Sequence, residues 1–240
     1  MNADGNNLHP LTRDPHLDRY PIVSPDSNYL VYLSNRGGAY DIWRKRIEED
    51  DTTLKQLTFS RGETISHPQC TNDWVFYHSY ESGKATLWKV PIDGPIDGVK
   101  HKPVTDKESN KESKFPVISP DGKSIACYYR DEQANSKWEV AIIPASGGPY
   151  RLVDFRTETG PPKPPEPIRW TPDGRALAYL ESRDGVSNVW IQPLVGGQPE
   201  QLTHFESDQI FSFDYSRDGK KMAFLRGTEI KDVFLFKFKD

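Results

Sequence analysis

The chain is 240 residues long with a net charge of -4, its 31 basic and 35 acidic side chains interspersed rather than blocked, which excludes the concentrated basic face of a nucleic-acid binder. Only 35% of residues are hydrophobic, yet aromatics reach 12%, too many for a disordered chain. No run of eighteen apolar residues and no basic start followed by an apolar stretch occurs, so neither a membrane span nor a signal peptide is expected.

Along the chain one phrase returns. Ser24-Pro25-Asp26 is followed by a worn copy, Thr71-Asn72-Asp73, then by Ser119-Pro120-Asp121-Gly122-Lys123, Thr171-Pro172-Asp173-Gly174-Arg175 and Ser216-Arg217-Asp218-Gly219-Lys220. The aspartates are 47, 48, 52 and 45 residues apart, the period of a four-stranded propeller blade. The repeats run approximately over 20–59, 67–106, 115–155, 167–205 and 211–240, one domain across 1–240.

The third copy shows the plan of a repeat. Phe115 to Ile118 is a short apolar run, and Ser119 to Gly122 a turn in which proline presets φ, aspartate bonds local amides and glycine takes the left-handed conformation. Lys123 to Tyr129, Trp138 to Pro144 and Tyr150 to Asp154 then read as three further antiparallel strands. In the other copies the third strands carry Asp41-Ile42-Trp43, Thr86-Leu87-Trp88 and Asn188-Val189-Trp190, and the fourth carry Leu57-Thr58, Val104-Thr105 and Leu202-Thr203. The second copy lacks both proline and glycine, so its first hairpin should be tighter or irregular. Val23, Cys70, Ile118, Trp170 and Tyr215, each three residues before a repeated aspartate, should be buried between sheets. Cys70 and Cys127 occupy non-equivalent positions and read as free thiols.

The last repeat stops at Asp240 after three strands, the third at 233–238, while Leu8-His9-Pro10-Leu11-Thr12 matches the missing fourth. The expectation is an all-β, five-bladed β-propeller of four-stranded antiparallel blades, its last blade closed by residues 8–13.

With these turns, and with Ser182-Arg183-Asp184-Gly185 and Asn188-Val189-Trp190, the sequence resembles the TolB-like, or PD40, branch of WD40-like β-propellers over essentially its whole length. That family includes the envelope-docking TolB proteins, prolyl-oligopeptidase-like propellers and propellers attached to bacterial serine/threonine kinases. The chain has no Gly-x-Ser-x-Gly elbow and no kinase loop. The resemblance therefore implies a non-catalytic sensor or scaffold module, a monomer in a periplasmic or extracytoplasmic setting, with a protein or peptide partner or a small ligand or sugar at the channel mouth.

The repeated aspartates read as turn residues. The six histidines lack metal-ligand spacing, so no metal and no cofactor is expected. The position four before each aspartate, Ile22, Gln69, Val117, Arg169 and Asp214, is taken to line the channel, with Arg169 and Asp214 paired. Segments entering the inner strands add an acid and usually a ring. Tyr20, His67, Phe115 and Phe211 join Arg169 and Asp214 as the ligand-binding candidates, because aromatic faces attract cations and cover sugar rings. The rival expectation is a glycoside hydrolase, its acid pair drawn from Glu63, Glu112, Glu166, Asp208 and Asp214.

Overall fold

The computed structural model describes residues 6–48, 51–81, 83–95, 101–106, 110–133, 137–156 and 160–228. Among them a single 3₁₀ turn, Asp51–Thr53, is the only helical element; the rest of the regular structure is strand. The chain divides into two compact units, residues 1–154 and 155–240.

In the first unit β1 (Asp18–Val23), β2 (Tyr29–Ser34), β3 (Asp41–Arg46) and β4 (Lys55–Gln56) make one sheet. A second comprises β5 (Ile65–Cys70), β6 (Trp74–Ser79), β7 (Thr86–Pro91) and β8 (Lys102–Pro103), and a third β9 (Lys111–Ile118), β10 (Ser124–Asp131), β11 (Glu139–Pro144) and β12 (Arg151–Leu152). The second unit holds a four-stranded sheet, β13 (Ile168–Trp170), β14 (Ala176–Arg183), β15 (Val186–Pro193) and β16 (Glu200–Gln201), and a described pair, β17 (Gln209–Tyr215) with β18 (Met222–Gly227). Every pairing is antiparallel between consecutive strands, as short turns between strands require.

The repeated phrase builds one small hydrogen-bonded device. In the third copy the Ser119 hydroxyl donates to Asp121 at 2.6 Å and accepts the Ser124 N–H at 2.9 Å, while the same Asp121 oxygen accepts the Lys123 N–H at 3.0 Å. The Ser24, Thr171 and Ser216 copies repeat the hydroxyl-to-aspartate bond at the same 2.6 Å. These bonds hold the carboxyls of Asp26, Asp121, Asp173 and Asp218 below the usual aspartate range, the hydroxyl bond being the largest cause in each. The second copy is shorter, as its composition requires: three residues separate β5 from β6, and Thr71 Oγ1 accepts the Trp74 N–H at 3.1 Å. Turns also meet their neighbours. The Asp26 N–H bonds Asn72 at 3.0 Å, and a Cβ added to Gly219 would come within 2.6 Å of Pro172.

A second repeated device ties strand four to strand three. β4, β8 and β16 are only two residues long, shorter than the Leu-Thr pattern suggests, and the threonine that follows works through its hydroxyl. Thr58, Thr105 and Thr203 Oγ1 accept the N–H groups of Ile42, Leu87 and Val189, each at 2.9 Å. Thr58 then donates to buried Asp41 at 2.8 Å, and Thr203 to Asn188 at 3.0 Å. This explains the polar residues at Asp41 of β3 and Asn188 of β15.

Between stacked sheets both faces of each strand are used. Val31, Leu33 and Ile42 pack with Val75, Tyr77 and Trp88 between the first and second sheets. Phe76 and Leu87 turn the other way, to Ile125, Cys127 and Ala141 of the third. In the second unit Ala178, Leu180 and Val189 meet Ile210 and Phe213. Cys70 and Cys127 are free thiols, and burial pushes Cys127 up to about 12.

Two expectations need correction. Of the five residues three before the repeated aspartates, Trp170 is buried and Cys70, Ile118 and Tyr215 are partly covered, but Val23 is 46% exposed. Cys70, Ile118 and Tyr215 pack into cores shared with the preceding sheet, whereas the Val23 side chain is left open to solvent. Ile22, taken for a channel residue, packs instead against the core between the first two sheets. Residues 8–13 form no strand with any described partner; Leu11 contributes its carbonyl to Lys45 Nζ at 3.1 Å. The expected third strand of the last repeat, 233–238, lies outside the described residues.

Candidate functional site

The first strands of the three sheets in the first unit share one irregularity. Each ladder slips by a residue, between Arg19 and Ile22, Ser66 and Gln69, and at Lys114 to Val117 opposite Ala126 and Tyr128. At these bulges Tyr20, His67 and Phe115 adopt left-handed φ values of 52°, 53° and 53°. For a bulky side chain this conformation costs of order 1–3 kcal/mol, so it survives only where surrounding structure enforces it.

The three strained residues meet. His67 lies 4.4 Å from Tyr20 and 4.4 Å from Phe115, centroid to centroid, tilted against the first and edge-on to the second. His78 of β6 completes the group, stacked on His67 at 5.4 Å and edge-on to Phe115 at 5.2 Å. It is only 3% exposed, and its Nδ1 accepts the Phe115 N–H at 3.4 Å. That bond assigns the remaining ring proton of neutral His78 to Nε2. Burial, followed by the neighbouring His67 and Lys114, lowers its pKa to about 3.

The array continues outward. Tyr80 lies 6.0 Å from His78, and the Lys114 ammonium sits over the rings of both Tyr80, at 5.3 Å, and Trp138, at 4.9 Å. Buried Glu112 takes Lys114 at 3.5 Å and Arg130 as its ion-pair partners. Cationic positions over these outer rings are thus filled from within, while Tyr20, 44% exposed, presents the open end. Sequence reasoning picked three rings of this array and missed His78, Tyr80, Lys114 and Trp138. The signal for His78 was available: aligned on the turn, it stands where the first repeat has Leu33.

In the second unit Arg169 Nε and Asp214 Oδ2 pair at 3.3 Å, and Arg169 also donates to the Ile168 carbonyl at 2.9 Å. The Asp214 side chain is 68% exposed, so the pair is a surface one rather than buried. Phe211 is the bulge residue of β17 and 45% exposed, but without the left-handed φ of the other three.

The carboxylates considered for glycoside hydrolysis each have local partners. Glu63 accepts the Arg61 N–H, Glu166 the Lys163 N–H at 3.1 Å, and Asp208 the Thr228 hydroxyl at 2.9 Å. Among the described residues no group of three or more His, Cys, Asp or Glu side chains is placed to hold a metal ion.

No protein-family model matches the chain. Its structure superposes on a TolB-type protein of Agrobacterium tumefaciens with a TM-score of 0.67, at 19% identity, over 90% of this chain and 72% of that one. It superposes on TolB of Acinetobacter baumannii with a TM-score of 0.63, at 15% identity, over 94% and 58%. The fold is TolB-like. By sequence the chain is similar to a tricorn protease homolog of Streptomyces coelicolor, 39% identical over 66 residues, and to an uncharacterized protein of Agrobacterium fabrum, 31% identical over 165. This TolB-like chain spans 5% of the length of the former relative and 52% of the latter.

Proposed function

We propose that the chain is a non-catalytic binding module, a sensor or scaffold propeller that takes a protein or peptide segment on the aromatic rim of its first unit. The observation that carries this reading is the stacking of Tyr20, His67 and Phe115, each held left-handed at the same bulge of three successive sheets. Backbone strain repeated in register and spent on placing adjoining rings is a feature of binding surfaces rather than of packing. Within the second unit the same reading keeps the Arg169–Asp214 pair and exposed Phe211 as ligand-binding candidates of their own.

The test uses peptides selected from a displayed library on the wild-type protein. Replacing Tyr20, His67 and Phe115 by glycine removes the rings while leaving a residue at ease with left-handed φ. Selected peptides should bind the triple variant at least about tenfold more weakly, a loss of about 1.4 kcal/mol, with the strand spectrum unchanged. Equal affinity would remove the rim from consideration.

The same proposal includes the architecture: one five-bladed ring over 1–240, in which residues 8–13 supply the last blade's fourth strand. Deleting residues 1–13 should then lower stability and promote self-association through the opened edge. A truncated protein that stays monomeric and equally stable would refute closure.

A further inference from the structure

A cleft of about 560 Å³ opens in the first unit beside the connection from β4 to β5, at the far end of β6. Its apolar wall is formed by Leu57, Ile65 and Tyr77, all buried, and its charged lining by Arg61, Glu63, Glu81 and His101. That volume lies within the range of small-ligand sites, about 300–1,000 Å³, and the combination of apolar wall and few convergent charges is their usual chemistry.

The charges are arranged unequally. Glu63 is held ionised: the Arg61 N–H, 2.5 Å away, is the main cause of its lowered pKa, and the charges of Arg61 and His101 add to it. Glu81 stands 3.7 Å from His101 Nε2. Burial keeps the Tyr77 hydroxyl protonated, a donor at the wall of the cleft. Two carboxylates, one guanidinium and the His101 imidazole, which stands against Glu81, therefore line a common space. A simple amine leaves the guanidinium unused, and a simple carboxylate meets two like charges.

We propose that this cleft binds a free α-amino acid with an apolar side chain, its ammonium toward Glu63 and Glu81, its carboxylate toward Arg61 and its side chain against Leu57, Ile65 and Tyr77. Each functional group of such a zwitterion meets a complementary one, and the apolar wall selects against small polar side chains. The site shares no residue with the aromatic rim, so either reading can fail alone.

The probes are L-phenylalanine, phenethylamine, which lacks the carboxylate, and hydrocinnamate, which lacks the amine, titrated by calorimetry and by amide chemical shifts. Phenylalanine should bind saturably and each analogue at least tenfold more weakly. Arg61→Gln should weaken phenylalanine tenfold or more and leave phenethylamine unchanged, whereas Glu81→Gln should weaken both. The triple glycine variant of the rim should bind phenylalanine as the wild type does. Absence of saturable binding, hydrocinnamate binding as tightly as phenylalanine, indifference to Arg61→Gln, or loss in the rim variant would each overturn the assignment.

Discussion

His78 makes a quantitative test of how the ring array is held. The folded protein keeps it neutral down to about pH 3, because burial disfavours the imidazolium and His67 and Lys114 add to the effect; its ordinary value is 6.5. Between those values the unfolded chain binds a proton that the folded chain does not. The stability that depends on neutral His78 is therefore complete above 6.5 and declines as the pH falls toward 3. A pH of 5.0 is about 1.5 below the 6.5 at which the unfolded group titrates; at about 1.36 kcal/mol per pH unit the cost is about 2 kcal/mol, against less than about 0.1 at pH 7.5. The turn aspartates destabilise in the same direction, but their ordinary value of 3.8 places that loss below this window. His78→Leu copies Leu33, the residue at the equivalent place in the first sheet, and removes the titration. Urea unfolding followed by tryptophan fluorescence at pH 7.5 and 5.0 should show the wild type losing about 2 kcal/mol more than the variant over that interval. At pH 7.5 the variant should be weaker by about 1 kcal/mol or less, since the bond it removes from the Phe115 N–H is long. An equal decline in both proteins would refute the buried neutral histidine.

Two further outcomes follow from the repeated devices and one from the surface ion pair. Thr58→Val should cost about 2–3 kcal/mol in a urea melt, because it strands the N–H of buried Ile42 and takes a donor from buried Asp41, and Thr58→Ser should restore most of it. Gly219→Ala should destabilise the second unit by about 2 kcal/mol or more, combining left-handed strain with a Cβ 2.6 Å from the Pro172 ring, while Gly122→Ala, whose nearest neighbour is the Thr71 methyl at 3.3 Å, should cost about half as much; hydrogen exchange in β14 and β18 separates the two. A double-mutant cycle on Arg169→Ala and Asp214→Ala should return a coupling below about 1 kcal/mol, as expected for an exposed pair, and a coupling above about 2 would mean that it is sealed from water.

What could be read from the chain follows from how local each feature is. The turn phrase specifies its own hydrogen bonds within six residues, so its aspartates, its shortened second copy and the strand count of the complete repeats were all legible. The threonine device was visible as a pattern but not as a mechanism, since the N–H groups it serves lie 14 to 18 residues away. Tyr20, His67 and Phe115 were found because each stands six residues before its aspartate, and register carries equivalent positions into proximity. Register alone does not say which face a residue takes, which is why Ile22 was misplaced into the channel and Val23 into the core. Nor does it show a bulge: left-handed φ at three aromatic residues has no sequence signature, because composition predicts glycine or asparagine there. Three successive sheets nevertheless keep a ring at that strained position. If the bulges served only to turn the strand, glycine would do so without strain, and the rings would have no reason to converge on His67; the convergence is what makes the first unit's rim, rather than any repeated aspartate, the place to look for a ligand.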